Sequence, residues 1–509
     1  MQCVIFTDTQ RLAAKYHTSR QDVLQLLQRN LLDQHHVECL LLDAVEYPDE
    51  LGQDSSWIGY QAILTDFMAG MGLKGSPELS LFIIGGDDVI PMPRIGNPIR
   101  EDDTLQADFL YCFKDLPRLD ADLAQCHVGR LPLEDGPLQT SLSDDLQSYF
   151  NLAGMMLSTG IEVDNVLMTS TQSWLPASNE MVRGLPIAPP TPIADATKEN
   201  MYTSPRLSVN ENTVVDQYRK DIGNADMLMF NLHGCDRPNY SSFYGEGANG
   251  HNTPEAFTID FLRDSGARII NTVACYGGRF IKYRRDDSML LSSLYGGGVV
   301  LYAGSCTTAL GRSGVYHNTA RDILIPAGMS ESFMKLYTLY LFKGISAGEA
   351  FLRAKCDYFN TCRDLDGDDA AYATVLMFNL FGMPALSVIR QDTVTQEARG
   401  MKVALPFDPQ AKAEYKTVYE KGQRVGGLLE HVRSLVNDNL QKIRRTVETQ
   451  LYQSLGLSPA DLSSIKSITQ GQTLKGYRFE YQSEQQFLTL RHWAYTDAAG
   501  NLKDVIHFK

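Results

Sequence analysis

A 509-residue chain with 43% hydrophobic and 21% charged residues has the composition of a folded protein with ordinary cores, not of a disordered one. Its formal net charge of −15 argues against nucleic acid or an anionic membrane as the main partner. No apolar run approaches the ~20 residues of a membrane span. The opening Met1-Gln2-Cys3-Val4-Ile5-Phe6 lacks the basic region and long apolar core of a secretory signal, so it is expected to be the first strand of the fold.

The nine cysteines (Cys3, Cys39, Cys112, Cys126, Cys235, Cys275, Cys306, Cys356 and Cys362) are odd in number and scattered through apolar runs. That usage predicts reduced core thiols in a cytoplasmic protein, and no CxxC pair or Cys/His cluster suggests structural zinc.

Residues 1–110 alternate strand and helix patterns. Strands are expected at 3–6, 37–42 and 79–84, with helices at 20–32 and 57–71, the last strand running into Gly85-Gly86-Asp87-Asp88. Such alternation implies a parallel, doubly wound sheet. Short strands are read at 107–111 and 126–130, and a helix at 138–157 that joins two lobes. A second α/β unit follows, with a strand at 165–170, helices at 178–183 and 212–222, and a Pro-rich surface loop at 185–192. Further on, a strand is expected at 298–304, helices at 318–342 and 346–361, and a closing strand at 384–388.

The stretch from 225 to 280 carries the chemistry. Two apolar runs each end in one reactive side chain: Met227-Leu228-Met229-Phe230-Asn231-Leu232 delivers His233-Gly234, and Ile269-Ile270-Asn271-Thr272-Val273-Ala274 delivers Cys275, followed by Tyr276-Gly277-Gly278. Apolar runs bounded by glycine read as buried parallel strands, and a helical pattern through Phe257 and Phe261 connects them. Ligands collect at the carboxyl ends of such strands. An imidazole and a thiol at neighbouring strand ends are what a cysteine nucleophile requires, since the thiolate attacks and the imidazole handles the proton.

Residues 391–410 read as a linker. Apolar residues from Val425 to Leu455 recur every three or four positions and predict one long amphipathic helix. Strand patterns follow at 477–481, 487–495 and 505–508. Residues 401–509 hold 15 Lys and Arg against 11 Asp and Glu, whereas the remainder holds 31 against 50, and that shift marks a boundary. The expected units are an N-terminal lobe at 1–135, a lobe with the His and Cys at 136–394, and a small α+β module at 395–509 that controls access or recognises a partner.

A strand ending in His-Gly followed by a strand ending in Ala-Cys resembles the caspase-like cysteine peptidases, and the gingipain family most closely. Leu81-Phe82-Ile83-Ile84-Gly85-Gly86-Asp87, the Ala-Asp-x-x-Tyr segment Ala107 to Tyr111, Val128-Gly129-Arg130 and Phe381-Gly382-Met383-Pro384-Ala385-Leu386 are similar to gingipain segments in the same order. The resemblance covers roughly residues 75–390. It implies a caspase-like, doubly wound, mostly parallel sheet in two lobes, with His233 and Cys275 as a dyad. It also implies an oxyanion hole from the backbone N–H groups of Gly234 and Cys275. Where gingipains keep a glutamate that orients the histidine, Gln172 stands here. The secreted relatives' signal, propeptide and immunoglobulin-like domain have no counterpart, which implies a cytoplasmic relative. By the same resemblance Ser305 and Cys306 would line the specificity pocket.

Cys235 is a pocket wall. Glu180 and Asp236 would suit a basic side chain and Arg183 an acidic one, although a solvated helix face is the commoner fate of all three. The run Asp364-Leu365-Asp366-Gly367-Asp368-Asp369 has alternating carboxylates, but its glycine comes too early for a calcium loop and Val375 occupies the twelfth place. A turn between helices is the reading, and no cofactor is expected, calcium being the one ion considered. Gly296-Gly297-Gly298 lacks the Lys-Ser/Thr of a phosphate loop. The expectation is a cytoplasmic cysteine endopeptidase acting on protein or peptide through an acyl-enzyme. The alternatives are a catalytically silent scaffold and acyl transfer to an amine.

Overall fold

A computed structural model describes residues 2–32, 38–53, 56–72, 79–113, 124–134, 140–171, 174–182, 212–235, 241–246, 255–312, 317–318, 323–324, 329–366 and 368–389. Toward the C-terminus it describes 444, 447–448, 451, 459–470, 473–484, 489–499 and 501–508. At its centre is one nine-stranded sheet. Its strands in chain order are β1 (Gln2–Thr7), β2 (Glu38–Asp43), β3 (Leu79–Ile84), β4 (His127–Leu131), β5 (Val166–Ser170), β6 (Met227–Asn231), β7 (Ile269–Thr272), β8 (Leu301–Ser305) and β9 (Phe378–Gly382). In space the order is β2-β1-β3-β4-β9-β8-β7-β6-β5. Neighbours are parallel throughout except β8 and β9, which run antiparallel. Two parallel halves of opposite direction therefore meet at one seam, the mostly parallel two-lobed α/β arrangement expected from sequence.

The strands are apolar because helices cover both faces, so a parallel sheet has no solvated side. β3, β4, β5, β6, β7, β8 and β9 are buried at every position. The helix Leu142–Thr159 begins with a Ser141/Asp144 capping box and crosses the seam. Its Tyr149 hydroxyl donates to the Val300 carbonyl at 2.8 Å and accepts from the Met383 N–H at 2.7 Å.

A buried ion pair braces the N-terminal half. Arg130 on β4 donates through Nε and Nη2 to the two carboxylate oxygens of Asp108, both at 2.7 Å, and through Nη1 to the Gly85 and Ile90 carbonyls at 2.9 Å. The pair explains one departure from the sequence reading. Residues 107–111 were expected as a strand but form a 3-10 turn, Asp108–Cys112, which aims the Asp108 carboxylate at Arg130.

Other departures have equally local causes. The segment read as helical after Pro254 is a strand, Glu255–Thr258, followed by a five-residue helix, Ile259–Arg263. Phe257 pairs with Phe243 across an antiparallel ladder, and the cluster of Phe230, Phe243, Phe257 and Phe261 takes precedence over helical spacing. The closing sheet strand is Phe378–Gly382, not 384–388, because Asp368–Met377 runs into it with no polar break. Val388–Ile389 pairs instead with Ile161–Glu162. The helix expected from 318 begins at Ser330. Most of the linker and long helix expected between 391 and 456 lies outside the described residues, as does the boundary at 395.

Four antiparallel strands follow: Leu462–Gln470, Thr473–Glu484, Thr489–Asp497 and Leu502–Phe508. Sequence reading missed the first of these. Phe479, Tyr481, Ala494 and Val505 pack with Val447 and Leu451 in a core of their own. Among the described residues, no helix is long and apolar enough to cross a membrane.

Candidate active site

Four consecutive strand ends converge. β6 and β7 pair in register with Phe230 opposite Thr272, so His233 and Cys275 each lie three residues beyond the last pair. On one side, β5 leads to Trp174, whose N–H donates to Thr171 Oγ1 and whose ring lies 4.3 Å from the His233 ring, edge-on. On the other, β8 leads to Ala309, whose backbone N–H donates to Cys275 Sγ at 3.1 Å. The thiol in turn reaches the Ala309 carbonyl at 3.7 Å. His233 and Cys275 therefore both follow the carboxyl ends of neighbouring strands, the edge at which ligands collect in such sheets.

Gly234 fits this edge only without a side chain. A Cβ there would fall 1.6 Å from the Cys275 carbonyl oxygen, so the peptides of the two residues are packed directly against one another. After Cys275 the chain turns through Tyr276 at φ +56°, a left-handed conformation uncommon for an aromatic residue. The turn is clamped by Tyr276 N–H on the Thr307 carbonyl and Gly278 N–H on the Ser305 carbonyl, both 2.8 Å. The Tyr276 hydroxyl and Thr308 Oγ1 meet at 3.0 Å.

His233 has a carboxylate partner that sequence reasoning did not find. Its Nε2 lies 2.5 Å from Glu246 Oε2, and both side chains are buried, at 1% and 6% exposure. Glu246 arrives because His233–Gly234 pairs antiparallel with Ser242–Tyr244, His233 opposite Tyr244. The chain thus doubles back and brings an acid 13 residues downstream onto the ring. The short strand pattern Ser242-Phe243-Tyr244, directly followed by Gly-Glu, was the available signal.

Of the other expected site residues, Gln172 and Asp236 lie outside the described residues, and Glu180 falls on the helix Leu175–Val182 with its side chain undescribed. Ser305 and Cys306 are buried behind the site: Ser305 Oγ donates to the Thr307 carbonyl, and Cys306 Sγ lies 3.2 Å from the Gly278 carbonyl. Burial pushes the Cys306 thiol up to about 12, so it stays protonated and unreactive. Cys235 packs on Tyr244. No group of three or more His, Cys, Asp or Glu among the described residues is arranged to hold a metal ion, and the side chains of 364–368 lie outside them.

The C-terminal sheet closes over this edge. Leu310–Arg312, directly after Ala309, pairs antiparallel with Leu502–Phe508. His507 from that strand faces Trp174, ring centres 6.3 Å apart, and its Nδ1 meets His492 Nδ1 at 2.6 Å. Burial holds the His492 imidazole down at about 4, with Glu246 acting against this shift and His233 adding to it.

No protein-family model and no curated protein matches the chain. Among solved structures, one described only as a protease aligns over 100% of this chain and 91% of its own, at 8% identity and a TM-score of 0.46. A likeness that faint carries no inference about chemistry.

Proposed function

We propose that the chain is a cysteine endopeptidase of caspase-like type, working in the cytoplasm on protein or peptide substrates. Cys275 Sγ would attack the scissile carbonyl as thiolate. Glu246 takes Nε2 of His233, so Nδ1 is the nitrogen we assign to the thiol proton, which it then passes to the leaving amine. Water would hydrolyse the resulting thioester, its proton taken by the same imidazole. Gly234 and Cys275 N–H groups are assigned to the oxyanion, where each preorganised donor is worth about 2.7–4 kcal/mol in the transition state. The carrying observation is the buried Glu246–His233 pair on a residue whose neighbour, Gly234, is packed against the Cys275 peptide. A histidine oriented by a carboxylate beside a strand-end thiol is the arrangement that a base acting on a nucleophile requires. Glu246 also supplies the imidazolium stabilisation that an amide at Gln172 would lack.

A second reading, a silent scaffold, draws on the burial of Cys275, 4% exposed with its sulfur occupied by the Ala309 backbone. Incubating a mixed peptide library with wild type and Cys275→Ala, read by mass spectrometry, separates the two. Cuts lost in the variant support the peptidase. Where neither chain cuts, the digest is repeated without residues 395–509: cuts that then depend on Cys275 mark a latent peptidase, and none mark the scaffold.

A further inference from the structure

The segment Leu310–Arg312 is a strand edge that begins one residue after the backbone holding Cys275 Sγ. An extended peptide reaching Cys275 from this side would add to that edge by main-chain pairing, the usual way a sheet edge receives a chain. The edge is already taken. Arg312 pairs with Ile506, Gly311 with His507 and Leu310 with Phe508, antiparallel. We propose that the strand Leu502–Phe508 is a built-in occupant of the substrate edge, and that the C-terminal sheet holds the candidate peptidase closed until this strand is drawn off. The inference rests on the peptidase reading for its consequence but on pairing and burial for its geometry.

Three observations carry it. First, the strand is built for the place. Side chains alternate across a strand, and here Ile506 and Phe508 belong to the main core while Val505 belongs to the core of the C-terminal sheet. Phe508 also packs edge-on against Trp493 at 4.7 Å. Second, the same sheet reaches the other half of the site, since His507 lies against Trp174, which itself lies against His233. The covering therefore spans both the thiol side and the imidazole side. Third, the consequence is visible in exposure: His233 and Cys275 are 1% and 4% exposed, whereas a nucleophile must meet a chain in the open.

The geometry also provides a way to open. Pairing with Thr489–Asp497 runs most of the strand's length, while pairing with Leu310–Arg312 covers only Ile506 to Phe508. The sheet would part from the edge as a unit before it came apart internally, because the shorter ladder is the weaker. No covalent step is needed, which distinguishes this device from cleavage of a pro-segment.

The test uses the full chain and two opened variants, Phe508→Glu and a chain ending at Val505, with thermal melts as a check that each folds. Two probes are applied to Cys275. Iodoacetamide reads access to the sulfur alone, and a peptidyl acyloxymethyl ketone reads access to sulfur and edge together. Rates at least about tenfold higher in both folded variants are expected, with a larger gain for the peptidyl probe. Hydrogen exchange on ketone-loaded wild type should show amides of 502–508 losing protection. Equal rates in all three chains, or protection that persists on the loaded protein, would overturn the inference. If opening speeds iodoacetamide but no chain cuts peptides or takes the ketone, the occlusion stands and the peptidase reading falls. If wild type already cleaves as fast as the opened forms, the peptidase stands and the occlusion falls.

Discussion

Glu246 Oε2 lies 2.5 Å from His233 Nε2, in a pair shielded from water on the hairpin that follows β6. In the proposed dyad a carboxylate held there would fix the ring's rotation, leave Nδ1 for the thiol, and stabilise the imidazolium. Glu246→Gln keeps the volume and removes the charge. The expected outcome is a kcat lower by about 10²-fold or more with KM little changed, within the ~10²–10⁴ range of general acid–base contributions. Steady-state kinetics on the best library peptide, with a melt to confirm folding, measure it. An unchanged kcat removes Glu246 from the machinery.

The Gly234 position tolerates no methyl group. The atom it would strike is a backbone oxygen, which cannot rotate away as a side chain would. Gly234→Ala should cost about 1–3 kcal/mol of stability and displace the peptide assigned to the oxyanion. Urea denaturation gives the first quantity, and kcat at a temperature where the variant is still folded gives the second.

Acid should weaken the fold through His127. This residue is fully buried on β4, with neither ring nitrogen hydrogen-bonded among the described residues, and burial pushes its pKa from 6.5 down to about 3. The unfolded chain then binds a proton between pH 6.5 and 3 that the folded chain refuses, so stability falls as pH falls through that window. By pH 5 the loss from His127 alone is about 2 kcal/mol, and His492, held at about 4, acts in the same direction. His127→Leu should flatten the curve between pH 7 and 5 in urea titrations. A variant with the wild-type slope would exclude His127 as the source.

The Asp108–Arg130 pair is expected to be among the costliest in the molecule to break. Asp108→Asn leaves a guanidinium with 0% side-chain exposure and no counter-charge at 2.7 Å. Removing one partner of a buried pair costs about 3–5 kcal/mol, whatever the pair itself is worth. Chemical denaturation at neutral pH reads this directly, and a loss below 1 kcal/mol would show that the Gly85 and Ile90 carbonyls suffice for Arg130.

Much of the fold was legible because parallel strands are buried on both faces, and runs such as Leu81-Phe82-Ile83-Ile84 or Met227-Leu228-Met229-Phe230 carry that burial openly. The strand ends at His233 and Cys275 were legible from the same runs, His233 following Asn231-Leu232 and Cys275 following Val273-Ala274, each just ahead of a glycine. What failed was short or borrowed. Phe257 is helical by spacing but takes a cross-strand partner in Phe243. Asp108 sits in a segment of strand composition that bends to satisfy Arg130. Glu246 comes to His233 through a hairpin register, a distance in space that no periodicity encodes. The pairing of Leu310–Arg312 with Leu502–Phe508 joins residues 194 to 198 apart in sequence, and pattern reading has no access to it.

The central claim, that His233 and Cys275 act together as a dyad, is tested most directly by locating a peptidyl acyloxymethyl ketone on the chain ending at Val505. Tandem mass spectrometry would be run with and without His233→Ala. The account predicts a single adduct on Cys275 Sγ, formed at least about 10²-fold more slowly when the imidazole is gone. An adduct on another cysteine, or a Cys275 rate indifferent to His233, would contradict it.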